Sequence, residues 1–307
     1  HVQVFNQGLH SYRDLPIRMT DFAMLYLDEK PGELNGVARV RSFSQDYCHI
    51  FCREDQVDDE IDQALSMIRE VMKTFGFTYR YRLSTSDKNH PEKYLGDRKT
   101  WDKVEAWAEK IMKRNRIDYF DGPGEAAFYA PKMDLMATDA LGREWQLSTV
   151  QIDFFLPERF TLTYTDADGK DKRPVMIHRA IIGFPERFIM VLLEHFAGAF
   201  PTWLAPVQVR VLPISEKHRA YAEEVAAALR AGNIRVETDD AGETLGKRIR
   251  EAEIAKVPYV LVVGDKEKDA NSVNVRTRHE KETRTLPLEQ FRKEIVLEIK
   301  ERRLSPR

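Results

Sequence analysis

Charged side chains cluster between Leu27 and Gln45, where Glu29, Arg39 and Arg41 surround a glycine-containing loop. Arginines at alternate positions of an extended strand point to one face, so Arg39 and Arg41 are expected to share a face. Guanidinium groups held on a rigid sheet offer paired donors to phosphate or carboxylate. The residues alone leave two interpretations open, an anion-binding cleft and a surface salt bridge.

Two histidines are candidate metal ligands, His49 in "YCHIFC" and His178 in "MIHRA". Cys48 precedes His49, and adjacent strand residues point to opposite faces, so these two side chains do not readily share one ion. Isolated histidines are more often hydrogen-bonded core residues than ligands. In the same way Arg187, at the start of an apolar segment, is most simply a salt-bridge partner.

The composition is that of an ordinary globular protein, with 307 residues, 42% hydrophobic, 32% charged and a mean hydropathy of −0.50. This length suits two domains. No apolar run approaches the ~18 residues of a spanning helix, which predicts no membrane partner. The two cysteines, Cys48 and Cys52, favour a reducing compartment, so we expect a cytoplasmic location. A first residue other than Met suggests a piece of a longer chain.

The net charge of −2 is uninformative, but from Ala205 onward 21 Lys and Arg face 18 Asp and Glu. This weak excess fits either a polyanion partner or an ordinary solvated surface.

The chain is predicted to divide at residues 204 and 205. Residues 1–204 show amphipathic helices, notably Glu54–Phe75 and one from Trp101 to Asn115, between runs of hairpins. A run of hairpins implies an antiparallel sheet, here flanked by helices. Residues 205–307 alternate strand and helix after the linker "AFPTWLAP", which is typical of a small α/β domain.

Several segments, in order, resemble threonyl-tRNA synthetases: "YRDLPIRM", "RVRSFSQDYCHIFC", "FYAPK", "QLSTVQIDFFLPERF", "RPVMIHRA" and "AGAFPTWLAPVQV". The resemblance covers nearly the whole chain. It implies an α+β class II synthetase domain with an antiparallel sheet, followed by a five-stranded α/β anticodon-binding domain.

The resemblance also implies roles for individual residues. The set comprises catalytic Glu29, Arg39 and Arg187; Gln45, Lys132 and Gln151 around the adenylate; Tyr129 in the threonine pocket; zinc ligands His49 and His178; and Glu267 and Arg276 on anticodon bases. A third zinc ligand, a cysteine, is expected before His1, outside this chain. The implied cofactors are Zn²⁺ and Mg²⁺ with ATP, and the implied partners are tRNA, bound through the C-terminal domain, and a second copy of the chain.

Six positions depart from the family pattern. Leu27 stands where an arginine binds the amino-acid carboxylate and the α-phosphate, and Tyr47 stands where an aspartate reads threonine. The other four are Ala130, Phe155, Phe184 and Met190, where glycine, asparagine or serine, serine and glycine are expected. These changes predict a less polar pocket with larger side chains and weak native activation of threonine.

Three functions remain open on this basis. The chain is an ordinary threonine-tRNA ligase fragment, a synthetase scaffold whose pocket accepts a bulkier apolar amino acid or ligand, or a non-catalytic tRNA-binding module. Leu27 argues against the first function, and the retained Glu29, Arg39 and Arg187 argue against the third.

Overall fold

The computed structural model describes residues 1–240 and 242–304, which form two compact units, His1–His195 and Phe196–Arg307. The linker "AFPTWLAP" therefore falls within the second unit rather than at its edge. Within the described ranges, none of the helices has both the length and the apolar character needed to span a bilayer.

The first unit is built on a seven-stranded sheet. Its helices are α1 (Val2–Phe5), α2 (Val57–Phe75), α3 (Arg98–Arg114), α4 (Phe155–Arg159) and α5 (Pro185–His195), and its strands are β1 (Ile17–Tyr26), β2 (Ser42–Cys52), β3 (Thr78–Thr85), β4 (Tyr119–Pro123), β5 (Lys132–Thr138), β6 (Glu144–Asp153), β7 (Tyr164–Thr165), β8 (Asp171–Lys172) and β9 (Val175–Ala180). The strand order is β1-β2-β9-β6-β5-β3-β4, and β7 pairs with β8 separately.

Every neighbouring pair in the large sheet is antiparallel except β3 and β4, which run parallel. The predicted antiparallel sheet is therefore confirmed, with one parallel pair at its edge. Strand β4 was not predicted from the sequence, because a five-residue strand with a glycine gives little periodic signal.

Helix α2 covers one face of the sheet against β6 and β9. Its apolar positions recur every three or four residues, and the resulting stripe is buried, including Ile61, Leu65, Ile68 and Met72. Acidic residues in the first turn complement the positive end of the helix, and Gly76, at φ 70°, ends it in the left-handed conformation. The opposite face of the sheet is left for the clefts described below.

Two local segments depart from simple strand geometry. Arg39 and Arg41 do not lie on a strand, because β2 begins only at Ser42 and both arginines occupy the preceding loop. The run "QIDFFL" is not a strand throughout, because β6 ends at Asp153. There the Asp153 carboxylate accepts the N–H groups of Phe155 and Leu156 at 2.8 and 3.0 Å and starts α4.

The second unit is an α/β domain whose five-stranded sheet has the order β11-β10-β12-β13-β14. Its elements are β10 (Val209–Pro213), α6 (Arg219–Arg230), β11 (Val236–Thr238), α7 (Leu245–Ile254), β12 (Tyr259–Val263), α8 (Asp265–Asp269), β13 (Ser272–Thr277), β14 (Thr283–Pro287) and α9 (Leu288–Lys300). Strands β10, β11 and β12 pair in parallel and the last two strands are antiparallel. The predicted fold class is confirmed for both units.

Candidate active site

Four polar residues lie in one row across the large sheet. The strand register places His49 opposite His178, His178 opposite Gln151, and Gln151 opposite Lys132. Neighbouring strands are ~4.8 Å apart and paired residues point to the same face, so these side chains form a continuous polar band. Residues separated by more than 100 positions in sequence are thereby brought together.

One end of this band forms a first cleft of about 240 Å³, which we call the inner cleft. Its lining includes Leu25, Gln45, Tyr47, His49, Tyr129, Thr149, Gln151 and His178. Tyr129 donates its hydroxyl to Gln151 Oε1 at 3.0 Å. Burial, with the nearby Asp153 charge, raises the pKa of Tyr129 to about 12, so the hydroxyl stays protonated.

Aromatic rings dominate one side of the inner cleft. The centroid distance is 4.9 Å between Tyr47 and His49, 4.7 Å between His49 and His178, and 4.9 Å between His178 and Tyr129. Burial and the neighbouring His178 lower the pKa of His49 to about 3. The ring is therefore neutral at physiological pH.

A second cleft of about 500 Å³, the outer cleft, adjoins the first and shares Gln45, Thr149 and Ala180 with it. Its lining also includes Leu27, Glu29, Arg39, Lys132, Phe184 and Arg187. The cationic side chains make this cleft suited to a polyanion, whereas the inner cleft suits a small amphipathic molecule.

The hairpin loop between β1 and β2 carries the charges of the outer cleft. Arg39 Nη2 donates to Glu29 at 2.9 Å and to Glu33 at 3.2 Å, and Arg41 Nε donates to the Glu29 carbonyl at 2.9 Å. The Arg39 hydrogen bond lowers the pKa of Glu29 and raises that of Arg39. Because Arg39 is half exposed, these pairs can exchange for a ligand at low cost.

Arg187, on the first turn of α5, lies deeper. Its Nε donates to the Ala38 carbonyl at 2.9 Å and its Nη1 to the Gln146 carbonyl at 3.1 Å, so the side chain ties the hairpin loop to β6. Its guanidinium lies over the Phe184 ring, 4.7 Å from the centroid. Burial lowers the pKa of Arg187, and the charge of Arg39 adds to the shift.

Three buried or half-buried aspartates that sequence reasoning missed hold the site in place. Asp46 accepts the N–H groups of Ile181 and Ile182 at 3.1 Å and of Gly183 at 2.8 Å, which fixes the turn before α5. Burial raises its pKa despite these bonds.

The other two aspartates act on β6 and β9. Asp153 Oδ2 lies 2.9 Å from His178 Nε2, which fixes the orientation of that ring. Asp134 accepts hydrogen bonds from Thr149, Arg82 and Ser84. Both aspartates are fully buried, and a carboxylate within an apolar strand is unusual enough to be a usable sequence signal.

Known protein families match both units of the chain. The model of the class II tRNA synthetase core domain (G, H, P, S and T) matches residues 1–196, and that of the anticodon binding domain matches residues 208–298. A crystal structure described as the RNA binding domain of threonyl-tRNA synthetase from Cryptosporidium parvum Iowa II aligns with a TM-score of 0.90 and 38% identity, covering 100% of this chain and 75% of that one.

The chain belongs to the threonyl-tRNA synthetase family. Among curated relatives, the threonine–tRNA ligase of Chloroherpeton thalassium is 48% identical over 99% of this chain and 46% of its own length. That of Rubrobacter xylanophilus is 50% identical over 93% of this chain and 45% of its own length. The chain thus spans about half the length of these threonine–tRNA ligases.

Of the six positions predicted to depart from the family pattern, three face the clefts. Tyr47 lines the inner cleft, and Leu27 and Phe184 line the outer cleft. The other three do not line either cleft: Ala130 is fully buried, Phe155 packs on Trp101 with centroids 5.7 Å apart, and Met190 is half-buried on α5. The predicted departures therefore reach the clefts at only these three positions.

The residues implied as zinc ligands form an incomplete set. A catalytic zinc ion in proteins is held by three side chains, and Asp153 orients His178 as a carboxylate does behind many metal-bound histidines. However, residues 1–240 and 242–304 contain no group of three His, Cys, Asp or Glu placed to hold a metal. Cys48 is buried on the opposite face. The described residues therefore do not fit a zinc ion, and no step below passes through one.

The two residues implied in anticodon reading lie on α8 and β13 of the second unit. Glu267 Oε2 accepts the Gly264 N–H at 2.9 Å at the start of α8. Arg276 pairs with Val260 on β12 and lines a cleft of about 400 Å³ with Lys256 and Arg278.

Proposed function

We propose that the first unit activates an amino acid with ATP, as a threonine–tRNA ligase does. The observation that carries this proposal is the adjoining pair of clefts. A small polar and aromatic cleft shares Gln45 and Thr149 with a larger cationic one that contains Arg39 and Arg187. This arrangement suits an amino acid held beside a nucleoside triphosphate.

In the proposed reaction the amino-acid carboxylate attacks the α-phosphorus of ATP. The bond to the β-phosphate oxygen breaks, and pyrophosphate leaves with the electron pair and its Mg²⁺. Arg39 exchanges Glu29 and Glu33 for phosphate oxygens, and Arg187 neutralises the leaving group. Gln45 and Gln151 orient the amino acid, so that the rate comes mainly from positioning and charge neutralisation.

Leu27 lies where this chemistry needs a donor. Its side chain is 49% exposed and lines the outer cleft, but it cannot donate to an oxyanion. Loss of one preorganised donor typically lowers the rate roughly 100- to 1,000-fold. We therefore propose that native threonine activation by this chain is weak.

The test is threonine-dependent ATP–pyrophosphate exchange by the unmodified chain, Leu27→Arg and Leu34→Arg. Leu34 is also exposed in the hairpin but outside the cleft lining, so it controls for added charge. We expect weak exchange by the unmodified chain, an increase of about 100-fold for Leu27→Arg, and no increase for Leu34→Arg. Robust exchange by the unmodified chain would contradict the weakened activity.

The aromatic wall of the inner cleft favours a second candidate, activation of a bulkier apolar amino acid. Tyr47, His49 and Tyr129 offer flat apolar contact area where an aspartate would read a hydroxyl. Exchange with phenylalanine, leucine and methionine, compared with threonine, tests this in the unmodified chain and in Tyr47→Asp. A preference of the unmodified chain for the apolar amino acids over threonine, reversed in Tyr47→Asp, would establish this candidate. A preference of the unmodified chain for threonine would exclude it.

We also propose that the second unit binds tRNA. Its match to an anticodon binding domain supports this, with Glu267 and Arg276 contacting bases. Weaker tRNA binding by Arg276→Ala, measured at fixed salt concentration, is the expected result. Binding of tRNA without exchange for any amino acid would instead identify a non-catalytic module. A homodimer and a cytoplasmic location remain predictions, to be checked by sedimentation and by localisation.

A further inference from the structure

A third cleft in the first unit, of about 350 Å³, lies between α2, the start of β3 and the turn from α3 to β4. We call it the turn cleft. Its side chains include Arg69 from α2, Tyr79 and Tyr81 from β3, and Arg116 and Asp118 from the turn. None of these residues lines the inner or outer cleft, so the turn cleft is separate from the proposed activation site.

Tyr81 is the first sign of a ligand. Tyr81 is 4% exposed, and within the described part of the chain its hydroxyl has no hydrogen-bond partner at normal geometry, although Arg69 lies close enough to lower its pKa. A buried hydroxyl without a partner costs free energy, and such groups in native proteins commonly mark an absent water, ion or ligand. Burial raises the pKa of Tyr81 to about 12, Tyr79 adds to the shift and Arg69 opposes it. The hydroxyl is therefore a permanent donor beside a cation.

The arginines of the turn cleft are the second sign. Among residues 1–240 and 242–304 no ion pair joins Arg69 or Arg116 to a carboxylate, and Arg69 donates a long hydrogen bond, 3.4 Å, to the Asn115 carbonyl. Arg80, by contrast, is bound to both carboxylate oxygens of Glu144, at 2.6 and 2.7 Å. Two uncompensated guanidinium groups thus face the cleft, against the single acid Asp118.

The strand pairing explains why this space stays open. β4 pairs with β3 only from Tyr81 onward, opposite Tyr119, so the first residues of β3 lack a strand neighbour on that side within the described ranges. The turn at Arg116, which has φ 54°, spans the gap. The cleft therefore follows from the late start of β4.

We propose that the turn cleft binds a phosphate group. The Tyr81 hydroxyl donates to one phosphate oxygen, while the Arg69 and Arg116 guanidinium groups donate to the others. A phosphate suits these donors better than a carboxylate because its three peripheral oxygens can accept from all of them at once. Inorganic phosphate is the simplest probe of the site.

The experiment measures the melting temperature of the whole chain as sodium phosphate replaces sodium chloride at constant ionic strength and pH. The variants are Arg69→Met, Tyr81→Phe and the control Lys110→Met. Lys110 is exposed on α3 outside the cleft, so its replacement removes an equal charge elsewhere.

We expect phosphate to raise the melting temperature of the unmodified chain and of Lys110→Met alike. Arg69→Met should weaken the apparent phosphate affinity about tenfold, because one charge-assisted pair is lost. Tyr81→Phe should be at least as stable without phosphate, since it removes an unpaired buried hydroxyl, but bind phosphate several-fold more weakly.

Two results would overturn the proposal, namely equal melting temperatures in phosphate and chloride, or equal losses of affinity in Arg69→Met and Lys110→Met. If Arg69→Met fails to fold, Tyr81→Phe and Arg116→Met decide. A second arm compares pyrophosphate with single-stranded RNA at equal phosphate content. A larger shift with pyrophosphate identifies a small phosphorylated ligand, and a larger shift with RNA identifies a nucleic-acid backbone; either supports the site.

Discussion

The centre of the large sheet and the hairpin between β1 and β2 face the same clefts but hold their polar groups differently. In the centre, Asp153 is fully buried and bonded to His178 and to two backbone N–H groups. In the hairpin, Arg39 is half exposed and shared between Glu29 and Glu33. Buried groups lose much free energy when a partner is removed, whereas exposed pairs lose little. The centre thus fixes geometry, and the hairpin is free to rearrange around a ligand.

The largest difference in unfolding free energy is expected between alanine substitutions at two glycines, one near the sheet centre and one in the hairpin. Gly183, at φ 68°, precedes α5, and a Cβ added there would lie 2.3 Å from the Leu147 carbonyl oxygen. Gly32, in the hairpin, has no atom within 4 Å of the same position. In urea denaturation, Gly183→Ala should lose on the order of 3 kcal/mol of unfolding free energy. Gly32→Ala should stay within about 0.5 kcal/mol. Equal losses would contradict the contrast between centre and hairpin.

A smaller effect is expected from Asp153→Asn. The amide retains one acceptor oxygen, so the bonds to His178 and to the start of α4 cannot all survive. The expected loss of unfolding free energy is about 2 kcal/mol, with faster hydrogen exchange at the Phe155 amide. The control is Asp168→Asn, which affects one bond to Lys170 on an exposed turn and should change little. No loss in Asp153→Asn would show that the buried carboxylate is dispensable.

Replacement of Arg39 by methionine should separate function from stability. Because Arg39 is half exposed and shares its guanidinium between Glu29 and the exposed Glu33, we expect the urea midpoint to change little. We expect ATP–pyrophosphate exchange in the Leu27→Arg background to fall, since a phosphate donor is lost. A large stability loss would place the hairpin with the rigid centre instead.

The smallest expected effect is on the pH dependence of the unfolding free energy. The sign of this dependence differs between a carboxyl near the sheet centre and one in the hairpin. The pKa of Asp46 is raised by burial above its ordinary 3.8, so its contribution to stability is present below that pH and is lost as pH rises through the folded-state value. The pKa of Glu29 is lowered by Arg39 below its ordinary 4.5, so its contribution is present above that pH and is lost as pH falls through the folded-state value.

Urea denaturation between pH 3.5 and 6 measures this difference. The unfolding free energy of Asp46→Asn, minus that of the unmodified chain, should rise as pH rises. The same difference for Glu29→Gln should fall as pH rises, because the wild-type carboxylate then adds its small stabilisation. Slopes of the same sign for both variants would contradict the assignment.

Local periodicity was enough to find the strongly amphipathic helices. Helix α2 was predicted within three residues of its observed start, Val57, and to its last residue, Phe75. Short elements were missed, including β4, β14, α4 and α8, because five residues carry too little periodicity to distinguish helix, strand and loop. In α4 the deciding bond comes from Asp153, and the sequence did not show that this carboxylate faces the backbone rather than solvent.

For this protein the sequence by itself determined the family and the fold class, because motif spelling and hydrophobic period are local properties. Only the tertiary structure decided the register that aligns His49, His178, Gln151 and Lys132. It also separated Leu27, Tyr47 and Phe184, which face the clefts, from Phe155, which does not. Strand pairing and burial depend on contacts between residues distant in the chain, which no local pattern encodes.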